Sequence, residues 1–155
     1  QLAWVDEKFT LAAAYTQSDN GNTDDSPDAN DYSSYGISGS YQFGDDYSLS
    51  AGIGWKNPEN EDSPDTAMNK VEDGNTWSVG FLWNDAFVEG NKFGFGIGTA
   101  ETHRDDAGYD DPLAWEAFYD FTVNDSVTVT PAIFVIERDG KENLNGALMK
   151  TTFKF

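Results

Sequence analysis

Apolar and polar residues alternate with a period of two along almost the whole chain, and nowhere does a convincing 3.6-residue period replace it. Residues 146–155 show this most plainly. Ala147, Met149, Thr151, Phe153 and Phe155 share one face; Leu148, Lys150, Thr152 and Lys154 share the other. The same alternation predicts strands at 8–17, 34–43, 46–56, 75–84, 91–102, 113–123, 126–137 and 146–155, with a short piece at 1–5. The expected class is all-β.

The connections alternate between short (5–8, 43–46, 84–91, 123–126) and long (17–33, 57–75, 103–112, 138–145). Tight turns at one end and long loops at the other predict an antiparallel up-and-down sheet of the kind that closes into a transmembrane β-barrel. Ten residues at about 3.3 Å each, tilted by about 40°, rise roughly 25 Å, the height of the apolar band of such a barrel.

One face of the predicted strands carries Phe9, Leu11, Tyr15, Tyr35, Ile37, Tyr41, Leu49, Ile53, Trp55, Trp77, Val79, Phe81, Trp83, Phe93, Phe95, Trp115, Tyr119 and Ile133 among others, and no charge. A Lys or Arg at the bilayer midplane costs about 2–4 kcal/mol, so lipid would impose that exclusion. Trp and Tyr gather toward strand ends, as interfacial girdles do. The other face is mostly small: Ala12, Ala14, Gly36, Ser38, Ser40, Ser48, Ser50, Gly52, Gly54, Ser78, Gly80, Gly94, Gly96 and Gly98. Glu116, Phe118, Asp120, Phe134, Lys150, Thr152 and Lys154 join it later in the chain. A closed eight-stranded barrel fills its interior with side chains, whereas a larger one holds water. Small residues therefore predict the wall of an aqueous lumen, with Glu116, Asp120, Lys150 and Lys154 as its selectivity charges. Asp120 and Lys154 are expected near the short-turn rim.

Eight strands over 8–155 would close with both ends on the short-turn side, but residues 1–5 read as the end of a ninth. Nine strands leave two unpaired edges, which lipid does not tolerate. The expectation is therefore one domain over 1–155, the C-terminal eight or nine strands of a barrel of about 16–18 strands, incomplete at its N-terminal side. Pro131 falls inside a strand, where it cannot donate to the ladder, and predicts a local bulge.

Composition narrows the function. The chain has 155 residues and a net charge of -19. It lacks the basic footprint that nucleic acid requires. With no cysteine, disulfides and thiolate metal sites are excluded. No run of eighteen apolar residues predicts a helical span. Residues 1–5 lack the regions of a signal peptide, so the chain reads as mature or truncated. Sixteen of the 28 acids lie in 19–31, 59–73 and 101–111. They predict either a negative mouth or simple loop solvation; Asp24, Asp25, Asp28, Asp105, Asp106, Asp110 and Asp111 are the candidates for weakly held Ca²⁺ or Mg²⁺. No resident cofactor is expected. Catalysis has little support: His103 is the lone histidine, and its pairing with Ser33 or Ser63 has no spacing behind it.

Residues 113–137 (Leu-Ala-Trp-Glu-Ala-Phe-Tyr-Asp-Phe-Thr-Val-Asn-Asp-Ser-Val-Thr-Val-Thr-Pro-Ala-Ile-Phe-Val-Ile-Glu) resemble the penultimate hairpin of cyanobacterial porins of the carbohydrate-selective type, which carry an N-terminal S-layer-homology domain. Residues 146–155 resemble their C-terminus, where Phe153 and Phe155 would serve as the barrel-assembly signal. Residues 1–15 resemble a strand pair from mid-barrel. The resemblance implies an outer-membrane, commonly trimeric pore that passes small hydrophilic solutes, inorganic ions and sugars by passive diffusion. Its surroundings would be outer-membrane lipid and lipopolysaccharide. Two alternatives are a closed eight-stranded barrel acting as an adhesin or structural protein through acidic loops, and a secreted acidic β-sandwich that binds carbohydrate.

Overall fold

A computed structural model describes residues 1–18, 32–58, 74–100, 112–138 and 140–155. Among them are nine strands and no helix: β1 (Leu2–Val5), β2 (Phe9–Ser18), β3 (Tyr32–Phe43), β4 (Tyr47–Pro58), β5 (Gly74–Asn84), β6 (Lys92–Thr99), β7 (Leu113–Asn124), β8 (Val127–Ile136) and β9 (Leu144–Phe153). They form one antiparallel sheet in chain order, each strand hydrogen-bonded to its sequence neighbours. Edge strands β1 and β9 do not pair with each other, so the described sheet is open. The up-and-down order expected from the alternating connections is thus present.

Turn chemistry explains the hairpins at the short end. Gly44, at φ 71°, supplies the left-handed residue that the tight β3–β4 turn needs. Between β1 and β2, the Asp6 amide donates to the Phe9 carbonyl at 2.8 Å, and the Asp6 carboxylate accepts from the Glu7 amide at 2.7 Å. Between β7 and β8, Asn124 Oδ1 accepts the Ser126 amide at 2.9 Å. From β2 to β6 the ladders run without a slip, so each face keeps its parity from strand to strand.

Two expectations need correction. The bulge does not fall at Pro131. Phe118–Ala132 and Phe121–Val129 keep one register across it, and only the intervening pairs are missing from the β7–β8 ladder. The proline ring has no N–H to give, yet the β8–β9 ladder passes through Pro131–Met149 undisturbed. In place of the lost backbone bonds, the Thr130 hydroxyl donates to the Asp120 carboxylate. The register shift lies instead between Thr122 and Asn124, beside the turn. The second correction concerns the last strand, which spans Leu144–Phe153 rather than 146–155. Phe155 stands beyond it, although the Lys154 amide still reaches the Ser126 carbonyl at 2.9 Å.

No ordinary core exists among the described residues. Ala86 is the one buried apolar side chain there, and no large side chain is fully enclosed. The aromatic face is open instead: Ile37 is 48% exposed and Ile53 49%, in the middle of their strands.

Candidate functional site

The ladders fix what each face carries. On the aromatic face, Ile37 pairs with Ile53, Ile53 with Trp77, Phe81 with Phe95, and Ile97 with Trp115. No charged residue occurs on this face in any of the nine strands. Its rings collect at the two ends. Toward the short turns an unbroken chain of contacts runs Phe43–Tyr47 (5.8 Å), Tyr47–Trp83 (5.9 Å), Trp83–Phe87 (4.9 Å), Phe87–Tyr119 (6.2 Å) and Tyr119–Phe121 (4.5 Å). Toward the long connections, Tyr15 stacks on Tyr35 at 5.9 Å, while Phe95 and Trp115, 6.5 Å apart, meet nearer mid-sheet. Eight residues separate Tyr35 from Phe43 along β3; at about 3.3 Å per residue and a tilt of about 40° the two bands stand roughly 20 Å apart.

Phe87 sits in the β5–β6 connection, residues 85–91, which folds down against β7. Tyr119 Oη donates to the Ala86 carbonyl at 2.6 Å and accepts from Asn91 Nδ2 at 3.1 Å. Asn91 Oδ1 accepts the Thr122 amide at 2.9 Å, and the Thr122 hydroxyl donates to the Gly90 carbonyl at 2.6 Å. Fitting so tight a loop puts Asp85 and Phe87 at positive φ, 52° and 63°. For Phe87 this is an uncommon and strained conformation.

The sheet is hollow on the opposite, small-residue face. One hollow of about 360 Å³ is lined chiefly by Ala12, Ala14, Gly36, Ser38, Gly52 and Gly54. A second, of about 480 Å³, is lined by Ser50, Gly80, Gly96, Glu116 and Phe134 among others. The two phenylalanines of this face lie flat. Phe118 covers Gly94 on β6 and Phe134 covers Gly146 on β9, so closely that a Cβ at either glycine would overlap the ring. A bare backbone is thus sealed by a neighbouring aromatic without a ring standing out into the hollow.

All four charges expected on this face are found there or at its rim. Glu116 lies opposite Gly96 and Phe134. Asp120 is held by Thr130, and Lys150 is the ladder partner of Thr130. Lys154 follows the end of β9. Sequence reasoning missed Lys92 and Lys56. Lys92 is the ladder partner of Asp120, and Lys56 lies over the Tyr32 ring at 5.7 Å. The alternation of β6 and β4 contained both positions; only their cross-strand partners show that they matter.

The cation candidates Asp24, Asp25, Asp28, Asp105, Asp106, Asp110 and Asp111, and with them His103 and Ser63, lie outside the described residues. Ser33 is buried in the β3 ladder between Gln17 and Asn57. Phe153 ends β9 on the aromatic face, opposite Val127. Compared with family models, curated proteins and solved structures, the chain matches none.

Proposed function

We propose that this chain forms part of the wall of an outer-membrane porin, through which small hydrophilic solutes and inorganic ions diffuse passively. The observation that carries the reading is the aromatic face: uncharged on all nine strands, banded by rings toward both ends, and exposed where the described residues bury almost nothing of their own. In water such a face would bury itself against a second layer. Lipid accepts it as it stands, provided every backbone group is paired. The two open edges, β1 and β9, then require further strands, and the barrel of about 16–18 strands expected from the sequence supplies them. Small side chains and flattened rings on the inner face leave room for water. Selectivity comes from size and from wall charges rather than from a stereospecific site. The resemblance to cyanobacterial porins adds sugars as solutes, a trimeric assembly and contact with lipopolysaccharide. It also adds the role of Phe153 and Phe155 in barrel assembly. Ca²⁺ or Mg²⁺ at the acidic connections would bridge lipopolysaccharide phosphates.

The test is single-channel recording on the natural, full-length gene product in a planar bilayer. Large stepwise openings are expected. A silent bilayer after verified insertion rejects the pore and leaves a closed barrel that works through its acidic loops. A monomer soluble without detergent rejects the membrane reading altogether.

A further inference from the structure

The protein is strongly acidic, yet its inner face is not. Among the described basic side chains, Lys56, Lys92 and Lys150 lie on the small-residue face within the strands, and Lys8 and Lys154 stand at its short-turn rim. Within the described strands two acids, Glu116 and Asp120, lie on it, and Asp46 stands at its short-turn rim, opposite Asn84. The ladders also arrange three of these charges in one line. Lys92 pairs with Asp120 across β6–β7, Asp120 is joined to Thr130 across β7–β8, and Thr130 pairs with Lys150 across β8–β9. Neighbouring strands are about 4.8 Å apart, so the row Lys92–Asp120–Thr130–Lys150 crosses the wall within roughly 14 Å.

The one acid in that row is engaged. Its carboxylate accepts from the hydroxyl of Thr130, a side chain 5% exposed. Lys92 and Lys150 are exposed on either side. Among the described residues neither lysine is ion-paired, so a solute near the row would lie within one or two Debye lengths of two ammonium groups and one restrained carboxylate.

Resting on the porin reading above, we propose that this row makes the channel select small inorganic anions over cations, despite the net charge of the chain. Lysines on a confining, low-dielectric wall act on an ion at close range. The row thus sets the sign of the selectivity, and the acidic connections modulate entry.

The experiment is the reversal potential of the full-length protein in a planar bilayer under a tenfold KCl gradient. Chloride should permeate better than potassium in the natural protein. Lys92→Glu with Lys150→Glu should invert that preference, each reversal shifting the permeability ratio by more than about fivefold, since it changes the wall by two unit charges and one unit exerts about fivefold at about 4 Å in water. Asp120→Asn should raise the chloride preference. Asp24→Asn with Asp25→Asn should move the ratio less than the lysine pair does. Should the Glu variants not form channels, Lys92→Gln with Lys150→Gln gives the same test with a smaller shift. Open channels that prefer potassium, or whose ratio the lysine variants leave unchanged, overturn the inference while keeping the porin. Absence of channels in the natural protein overturns both.

Discussion

On strands β2–β5 the inner face is Thr10, Ala12, Ala14, Gly36, Ser38, Ser50, Gly52 and Gly80, with Lys56 alone carrying charge. On β7–β9 the same face holds Glu116, Phe118, Asp120, Phe134, Leu148 and Lys150. The outer faces of the two regions scarcely differ: both are apolar, aromatic near the ends and uncharged. In the proposed barrel a uniform lipid environment outside would explain the constancy, because every strand would meet the same solvent. The inner difference has no such cause, and it places the chemistry on one side of the sheet and a smooth lining on the other.

The largest effect should come from breaking the constant surface. Ile53→Lys, on the exposed aromatic face in mid-sheet, should destabilise the protein in lipid by about 2–4 kcal/mol, whereas Ser50→Lys on the opposite face should cost under about 1 kcal/mol. Urea titration of vesicle-folded protein measures both. Equal costs would mean that the two faces meet the same medium.

Next comes the contrast among glycines. Gly94→Val drives a side chain into the Phe118 ring and should cost about 1–3 kcal/mol, while expelling the ring into the hollow and lowering conductance. Gly36→Ala meets only the Ile53 carbonyl, at 3.6 Å from the new Cβ, and should be tolerated to within about 0.5 kcal/mol. A similar cost at both positions would show that the smooth and the chemical half are packed alike.

Thr130→Val should cost about 1–2 kcal/mol, since it removes the hydroxyl that answers Asp120 where Pro131 has already thinned the ladder. Chemical denaturation of the folded protein checks this, and Thr130→Ser should restore most of the loss. The smallest effect is expected at Phe87→Gly. Relief of a positive φ, about 1 kcal/mol, offsets the loss of contacts with Trp83 and Tyr119, about 0.5–1.5 kcal/mol. A loss above about 2 kcal/mol in the same assay would show that the ring belt matters more than the strain.

Much of this was legible in the pattern of residues, because a strand advertises its faces in its own sequence. All nine strands, their order and the sorting of Ile53 or Trp83 from Ser50 or Gly80 follow from period two. What a strand does not advertise is its partner. Lys92 becomes informative only beside Asp120, and Phe118 and Phe134 look out of place until Gly94 and Gly146 appear beneath them. The turn at 85–91 was readable as short, but its bonds to Tyr119 and Thr122 depend on β7 running past the start of β6. Pro131 misled for a related reason. A missing donor can be absorbed by a side-chain bond, and the extra residue went to the neighbouring turn instead. The metal candidates and His103 lie outside the described residues, so the reading of those acids stays an expectation.

The chain-order pairing of the sheet has a consequence for how it comes apart. Each strand is held only by the strands adjacent in sequence, so the ladder is a line of hinged slats and not a web. Among the described residues, opening one hairpin leaves two pieces of sheet with no ladder between them. The folded connection at 85–91 is the exception that resists this, because it fastens β5, β6 and β7 at one point and so works as the latch between the lining half and the charged half.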